Sequence, residues 1–341
     1  MQELLGRIAA LDPTASLGLR VIACFDELIV GQVNIHGLLA TAAALAGCPA
    51  GCSFGPRVSP LGETLAGDPP TGRLSHGVDS DAAVWLERAG PEEANDAIIL
   101  ERLALAVGIR RSGANPDAAR RDIAVLLGRD HPVDERSEAA ARLGLSPSQR
   151  YRVLAQPLFA EWASHPNWPS DVLSTSLGTI HTVVAPASVT ADDAPAAPCG
   201  LGVAGSIPDL ALSFRTALIA LRLCERPANS AVDAERYGGL IHLLAESPST
   251  AANPDVDRLE VLFAEHTWAP ATLRALVESS SARQAARQLD IHHSTMQVRV
   301  ETLSGELGFD PFDGLGKARL GVAYLAWRMR HSRALELPPP Q

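Results

Sequence analysis

The sequence predicts an α+β multidomain protein that closes with an all-α module. Three observations carry this. The chain has 341 residues, more than one hydrophobic core usually organises, so two or three domains are expected. Helical and strand-like apolar patterns alternate up to about residue 245, broken by Gly- and Pro-rich stretches. From Arg258 onward only helical spacing remains.

Taken in order, Arg20 to Val30 and Gly37 to Ala46 repeat apolar residues at helical intervals. The pattern changes at CPAGCSF, and up to Ser80 the chain is loop-rich, with short strands expected at Gly51–Phe54 and Ala82–Leu86. Pro91 to Leu127 reads as helix interrupted at SGANP, either a dimer seam or an internal connector, since no heptad is sustained. GRDHPVDERSE is a polar loop and EAAARLGLSPSQ a short helix. Tyr151–Leu158 and Thr179–Ala185 read as strands, CGLGVAG as another, and Leu210, Phe214, Leu218, Leu221 and Cys224 as a helical stripe opened by Ser206 and Pro208. Glu246 to Asp257, ESPSTAANPDVD, is the best linker. Helices are expected at Arg258–His266 and Pro270–Ser279, with a closing helix in GLGKARLGVAYLAWRMRH.

Between them lies SARQAARQLDIHHSTMQVRVETLSGELG, residues 281–308. Ser281 with Gln284 and Ser294 with Gln297 each have the Ser-x-x-Gln spacing of a capped helix start. In the second helix Met296, Val300, Leu303 and Leu307 form one stripe, and Ala285, Ala286, Leu289 and Ile291 supply a small apolar surface to meet it. The opposite face carries Ser294, Val298 and Glu301, with Thr295 and Gln297 on its shoulders. This is the geometry of a helix-turn-helix, whose second helix enters the DNA major groove. The candidate DNA-binding residues are therefore Thr295, Gln297 and Arg299, with His292, His293 and Ser294 at the helix start and Arg283 and Arg287 on phosphate. Lys317, Arg319, Arg328 and Arg330 of the closing helix either reach phosphates or form a solvated face.

The run AARQLDIHHSTMQVRVETLSGELGFD resembles the C-terminal helix-turn-helix of the PucR/CdaR transcription factors, the purine-catabolism and sugar-diacid regulators. Ile291, His292, Thr295, Met296, Arg299 and Val300 fit the pattern. Where that family tends to place Arg, Asn, Arg and Tyr, this chain has His293, Ser294, Gln297 and Val298, so two guanidinium groups are missing from the expected DNA face. The resemblance implies a GAF-like sensor domain at 1–110, a helical connector at 111–148, a non-catalytic, degenerate GGDEF-like α/β domain at 149–245, the helix-turn-helix domain at 258–333 and a tail at 334–341. Nothing between Val172 and Gly205 matches the cyclase turn, so no cyclase activity is expected.

Other chemistry is weakly supported. Gly200, Gly202 and Gly205 satisfy G-x-G-x-x-G, but no apolar strand precedes them and no acidic residue follows at the ribose position. Cys48 and Cys52 lack the further ligands of a structural zinc site, and the five cysteines read as reduced, buried thiols. No HExxH, G-x-S-x-G, P-loop or spaced carboxylate pair stands out, so catalytic residues, cofactor and metal are all expected to be none. With no signal-like N-terminus and no long apolar run, a cytoplasmic protein without a membrane partner is expected.

The net charge is −10, yet residues 270–341 carry nine Lys or Arg against seven Asp or Glu. An acidic body with a mildly basic end suits a protein that touches double-stranded DNA at one end, and pairing two such modules doubles the phosphate contacts. The expectation is a ligand-responsive regulator of metabolic genes, acting as a homodimer or higher oligomer with an unknown small-molecule effector. The alternative is a homologue with weakened DNA binding that works through protein–protein interaction.

Overall fold

Residues 13–112, 121–225, 227–246 and 253–336 are described in the computed structural model. The chain divides into two units, Met1–Arg236 with Ala334–Gln341, and Tyr237–Arg333. Together they make a mixed α+β protein with a wholly helical C-terminal region. Among the described residues no helix is long and apolar enough to cross a membrane.

The first unit opens with α1 (Pro13–Val30) and α2 (Ile35–Ala46), each starting before the expected residue. Asn34 caps α2, its side chain accepting from Gly37 N–H at 2.8 Å, and Gly47 closes the helix in the left-handed region. Strands β1 (Ala50–Cys52), β2 (Arg57–Val58), β3 (Thr64–Leu65), β4 (Leu74–Gly77) and β5 (Ala83–Leu86) form an antiparallel sheet in the order β3-β2-β1-β5-β4. Helix α3 (Asp96–Ser112) follows. Pro91–Asn95 is therefore not helical, and residues 113–120, which hold most of the SGANP break, lie outside the described residues. Ile99, Leu100, Leu103 and Val107 of α3 are buried in the same core as Phe25, Leu28, Leu38 and Leu39, so this helix packs within its own unit.

Helices α4 (Asp122–Leu127) and α5 (Val133–Arg142) precede a second sheet, so the expected polar loop at GRDHPVDERSE is helical from Val133. Its strands are β6 (Tyr151–Pro157), β8 (Ser170–Thr175), β9 (Gly178–Pro186), β11 (Cys199–Leu201) and β12 (Ala231–Asp233), ordered β12-β11-β6-β9-β8. Only β11 and β12 run parallel. β7 (Glu161–Trp162) and β10 (Ala196–Ala197) pair separately, and α6 (Leu210–Arg222) packs on β6 and β11. CGLGVAG is a strand only to Leu201. A Cβ on Gly200 would lie 2.2 Å from Ala217 O and one on Gly202 2.0 Å from Ser213 O. These glycines let α6 lie directly on the sheet, a packing reason for the G-x-G spacing.

Helix α2 is apolar on nearly every side and contacts both sheets, β1 and β2 of the first and β8 and β9 of the second. Val172 of β8 lies in the same core as Leu38 and Val58. Asn34 Nδ2 donates to Asp171 Oδ2 at 2.8 Å, and a Cβ on Gly37 would meet Asp171 Oδ1 at 2.8 Å, so a larger residue there would push the second sheet away. All five cysteines are free and buried, and burial pushes the Cys24 thiol up to about 12.

In the second unit α7 (Gly239–Glu246) is followed by α8 (Pro254–Glu265), α9 (Ala269–Glu278), α10 (Ala282–Gln288), α11 (His293–Leu307) and α12 (Leu315–Arg330). Helix α8 begins four residues before the expected Arg258, because Asn253 caps it, accepting from Asp255 N–H at 3.1 Å, and Pro254 takes the first helical position. Of the expected linker, Glu246 ends α7, Pro254–Asp257 open α8, and residues 247–252 lie outside the described residues.

Arg152 on β6 is buried and holds three strands' ends together: it donates to Gly202 O at 3.0 Å and to Val189 O at 2.7 Å, and pairs with Asp233 at 2.9 Å. Arg152→Ala leaves those acceptors unsatisfied and is expected to destabilise the protein by roughly 3 kcal/mol, read by urea denaturation.

Burial without a charge partner lowers His181 to about 4, and burial with the Arg121 charge lowers His36 to about 4. Both are neutral in the folded state, so their contribution is complete above the unfolded value near 6.5 and is lost as pH falls toward 4. Asp171, pushed up to about 7 chiefly by burial, runs the other way, losing its contribution as pH rises from about 4 to 7. Between pH 7 and 5 the two histidines work against the folded state, while the carboxyls of Asp171 and Glu27, both raised by burial, work for it. Relative to the parent, His181→Phe is expected to gain a few degrees of melting temperature as pH falls from 7 to 5, on the order of the shift expected for about 1–2 kcal/mol.

Candidate nucleic-acid interface

The second unit is built around one apolar cluster: Leu259 and Leu262 of α8, Leu273 and Leu276 of α9, Ala285 and Ala286 of α10, Met296, Leu303 and Leu307 of α11, and Leu320 and Tyr324 of α12. The alanines allow α10 and α11 to approach closely. Ser281 caps α10, accepting from Gln284 N–H, while the Gln284 side chain accepts from Ser280 N–H at 3.0 Å, one residue before the expected partner. Between the helices Asp290 adopts a left-handed conformation, φ 52°, which a short polar side chain tolerates. The N-terminal cap of α11 is His292, not Ser294. His292 Nδ1 accepts from Ser294 N–H at 3.3 Å and lies 2.8 Å from its hydroxyl, so the expected Ser294–Gln297 box does not form.

Met296, Leu303 and Leu307 are buried and Val300 is half-buried, which turns Ser294, Thr295, Gln297, Val298 and Glu301 outward. Arg283 and Arg287 on α10 are also exposed, and among the described residues neither carries an ion pair. Ser294 is occupied by the cap to His292, whereas Thr295, Gln297, Val298, Arg283 and Arg287 are exposed side chains. His293 lies half-buried at the first turn, its Nδ1 enclosed without a partner.

Arg299 is placed differently. It is half-buried, its Nη1 donates to the hydroxyl of the buried Thr272 at 3.0 Å, and its guanidinium lies over the Trp268 ring at 5.1 Å. It braces α11 against α9, leaving fewer donors for a nucleic acid. Spacing along α11 put Arg299 beside Gln297; its tertiary partners Thr272 and Trp268 had no mark in the sequence. Nearby, His266 Nε2 lies 2.9 Å from Glu306 Oε1 and its ring lies tilted against Trp268 with centroids 5.0 Å apart. Glu265, His266 and Glu306 bring three possible ligand atoms within 4.8 Å, two of them spent on that hydrogen bond.

The closing helix uses its cations internally. Arg319 forms a bidentate pair with Asp255 at 2.6 Å and covers Phe309, and the pair holds the Asp255 carboxyl below its usual range. Arg330 bonds Asp257 at 3.0 Å and Glu260 at 2.9 Å, and Lys317 donates to Ser279 O. Arg319 and Arg330 remain exposed, as the solvated-face reading expects, and their ion pairs link α12 to α8, while Lys317 links it to the end of α9.

Comparison with protein families matches residues 271–326, the stretch just described, to the PucR C-terminal helix-turn-helix domain. Residues 271–326 are a PucR-type helix-turn-helix. A PucR domain of this kind is DNA-binding and marks a transcriptional regulator. The chain is also similar to the crystal structure of a regulator of polyketide synthase expression from Bifidobacterium adolescentis, with 16% identity, coverage of 62% of this chain and 97% of that one, and a TM-score of 0.29. No curated protein matches the chain. The assignment rests on the PucR domain match.

Helix α11 of this PucR-type helix-turn-helix thus carries an arginine that braces and a polar shoulder that does not. Arg299→Ala is expected to cost about 1–2 kcal/mol of stability through the lost hydrogen bond and ring contact, whereas Gln297→Ala stays within about 0.5 kcal/mol of the parent in the same denaturation experiment.

Proposed function

We propose that this protein is a cytoplasmic, ligand-responsive, sequence-specific DNA-binding regulator of metabolic genes that acts as a homodimer or higher oligomer. The observation that carries the reading is the exposed shoulder of Thr295 and Gln297 on α11, held outward by burial of Met296, Leu303 and Leu307. In this reading α11 enters the major groove, Thr295 and Gln297 meet base edges, Val298 meets a thymine methyl, and Arg283 and Arg287 neutralise phosphates. Residues 1–110 act as a GAF-like sensor, 111–148 as a connector, 149–245 as a GGDEF-like non-catalytic domain, and 258–333 as the DNA-binding domain. A metabolite that binds one arrangement of paired helix-turn-helix modules better than another shifts their fit to two half-sites about one helical turn apart.

The occupied guanidinium of Arg299 favours one second reading: a regulator homologue with weakened DNA binding that acts through protein–protein contact. A fluorescence-anisotropy titration of the full chain against duplex DNA over a salt series separates the two. Binding that weakens with salt is expected, with Arg283→Ala and Arg287→Ala each reducing the slope of log K against log salt by about 1. Gln297→Ala leaves that slope unchanged and lowers discrimination between sites by about 1–3 kcal/mol. Absence of salt-dependent binding at low salt would overturn the DNA-binding reading in favour of the second.

A further inference from the structure

The first unit contains a half-open cleft of about 500 Å³, within the roughly 300–1,000 Å³ range of small-molecule sites. Its walls come from the ends of α1, α3 and α5, the start of α4, and the connection from β7 to β8, which contributes Trp162 and Trp168. Most of its charged groups are already matched. Arg142 pairs with Asp122 at 2.7 Å and His165 lies 3.1 Å from Glu27. The Asp171 carboxylate accepts from Asn34 Nδ2 and from Val172 N–H, both at 2.8 Å.

Glu27 Oε2 is enclosed without a hydrogen bond, and Arg110 has no carboxylate partner among the described residues. Arg110 is half-buried at the end of α3, its Nη2 donates to Ile29 O at 2.6 Å, and its Nε is enclosed without a partner. Burial alone lowers its pKa. A guanidinium taken partly out of water without a counter-charge is costly. Its planar fork matches a carboxylate with two parallel hydrogen bonds, which would supply that missing charge.

We propose that this cleft binds a small organic carboxylate, with Arg110 as the anchor for the anion and Trp162 and Trp168 as the apolar wall, and that it is the effector site of the regulator. The regulatory part rests on the ligand-responsive reading above; the binding part does not.

The test is thermal denaturation of the full chain with succinate, glutarate or benzoate at about 10 mM, beside succinamide, glutaramide, benzamide and inorganic phosphate. At least one carboxylate is expected to raise the melting temperature by about 2 °C or more while its amide does not. Arg110→Gln abolishes that shift. Val30→Trp, at an exposed rim position where folding is not at risk, blocks entry and abolishes it as well, and decides the matter if Arg110→Gln does not fold. No shift from any of the three acids, an equal shift from an amide, a response to phosphate alone, or a full response in either variant would overturn the proposal. A carboxylate that stabilises the protein but leaves the anisotropy titration unchanged upholds the site and overturns its effector role. Loss of DNA binding with an intact thermal response would count against the DNA-binding reading alone.

Discussion

Met296, Leu303 and Leu307 must leave water together, and that requirement aims α11. On a helix with 3.6 residues per turn, burying these three fixes the direction of every other side chain, so Thr295 and Gln297 face out because their neighbours cannot. The alanines of α10 set how closely the two helices cross, and the left-handed Asp290 between them sets the angle of entry. Each apolar side chain contributes on the order of 2 kcal/mol when buried, far more than the orientation of an exposed glutamine costs. The exposed shoulder is thus a by-product of core packing, and it can vary in chemistry without disturbing the scaffold.

Arginine has two uses in this protein. Arg283 and Arg287 are left unengaged on the surface, whereas Arg299, Arg319 and Arg330 are fastened to partners within the helical unit. The division leaves two guanidinium groups exposed on α10, while Asp255, Asp257 and Glu260 of α8 are paired with the cations of α12.

Much of this was legible in the sequence, and the reason is locality. The stripe of α11, the small residues of α10 and the outward placement of Thr295 and Gln297 follow from spacing alone. So do the long, strongly periodic helices around Leu28, Leu39 and Leu218. Strands such as Arg57–Val58, Leu74–Gly77 and Ala231–Asp233 did not show, because two to four residues carry no period and their pairing is decided by distant partners. The Ser-x-x-Gln spacing points to Ser294 as a cap, but His292, two residues earlier, offers the acceptor instead. Arg299 and Arg110 were illegible for a related reason: Thr272, Trp268 and the cleft wall come from other elements, so neither brace nor anchor leaves a trace in the residues nearby.

Helix α2 also constrains how this chain can change over generations. Its alanine- and leucine-rich surface is claimed by two sheets that are well separated in sequence. Swapping either sheet for an unrelated cassette would leave a greasy, solvent-facing rod prone to sticking to its neighbours. A change to either sheet of the N-terminal unit therefore has to be matched on the other through α2, while the helical unit at the other end of the chain has a core of its own and is under no such obligation.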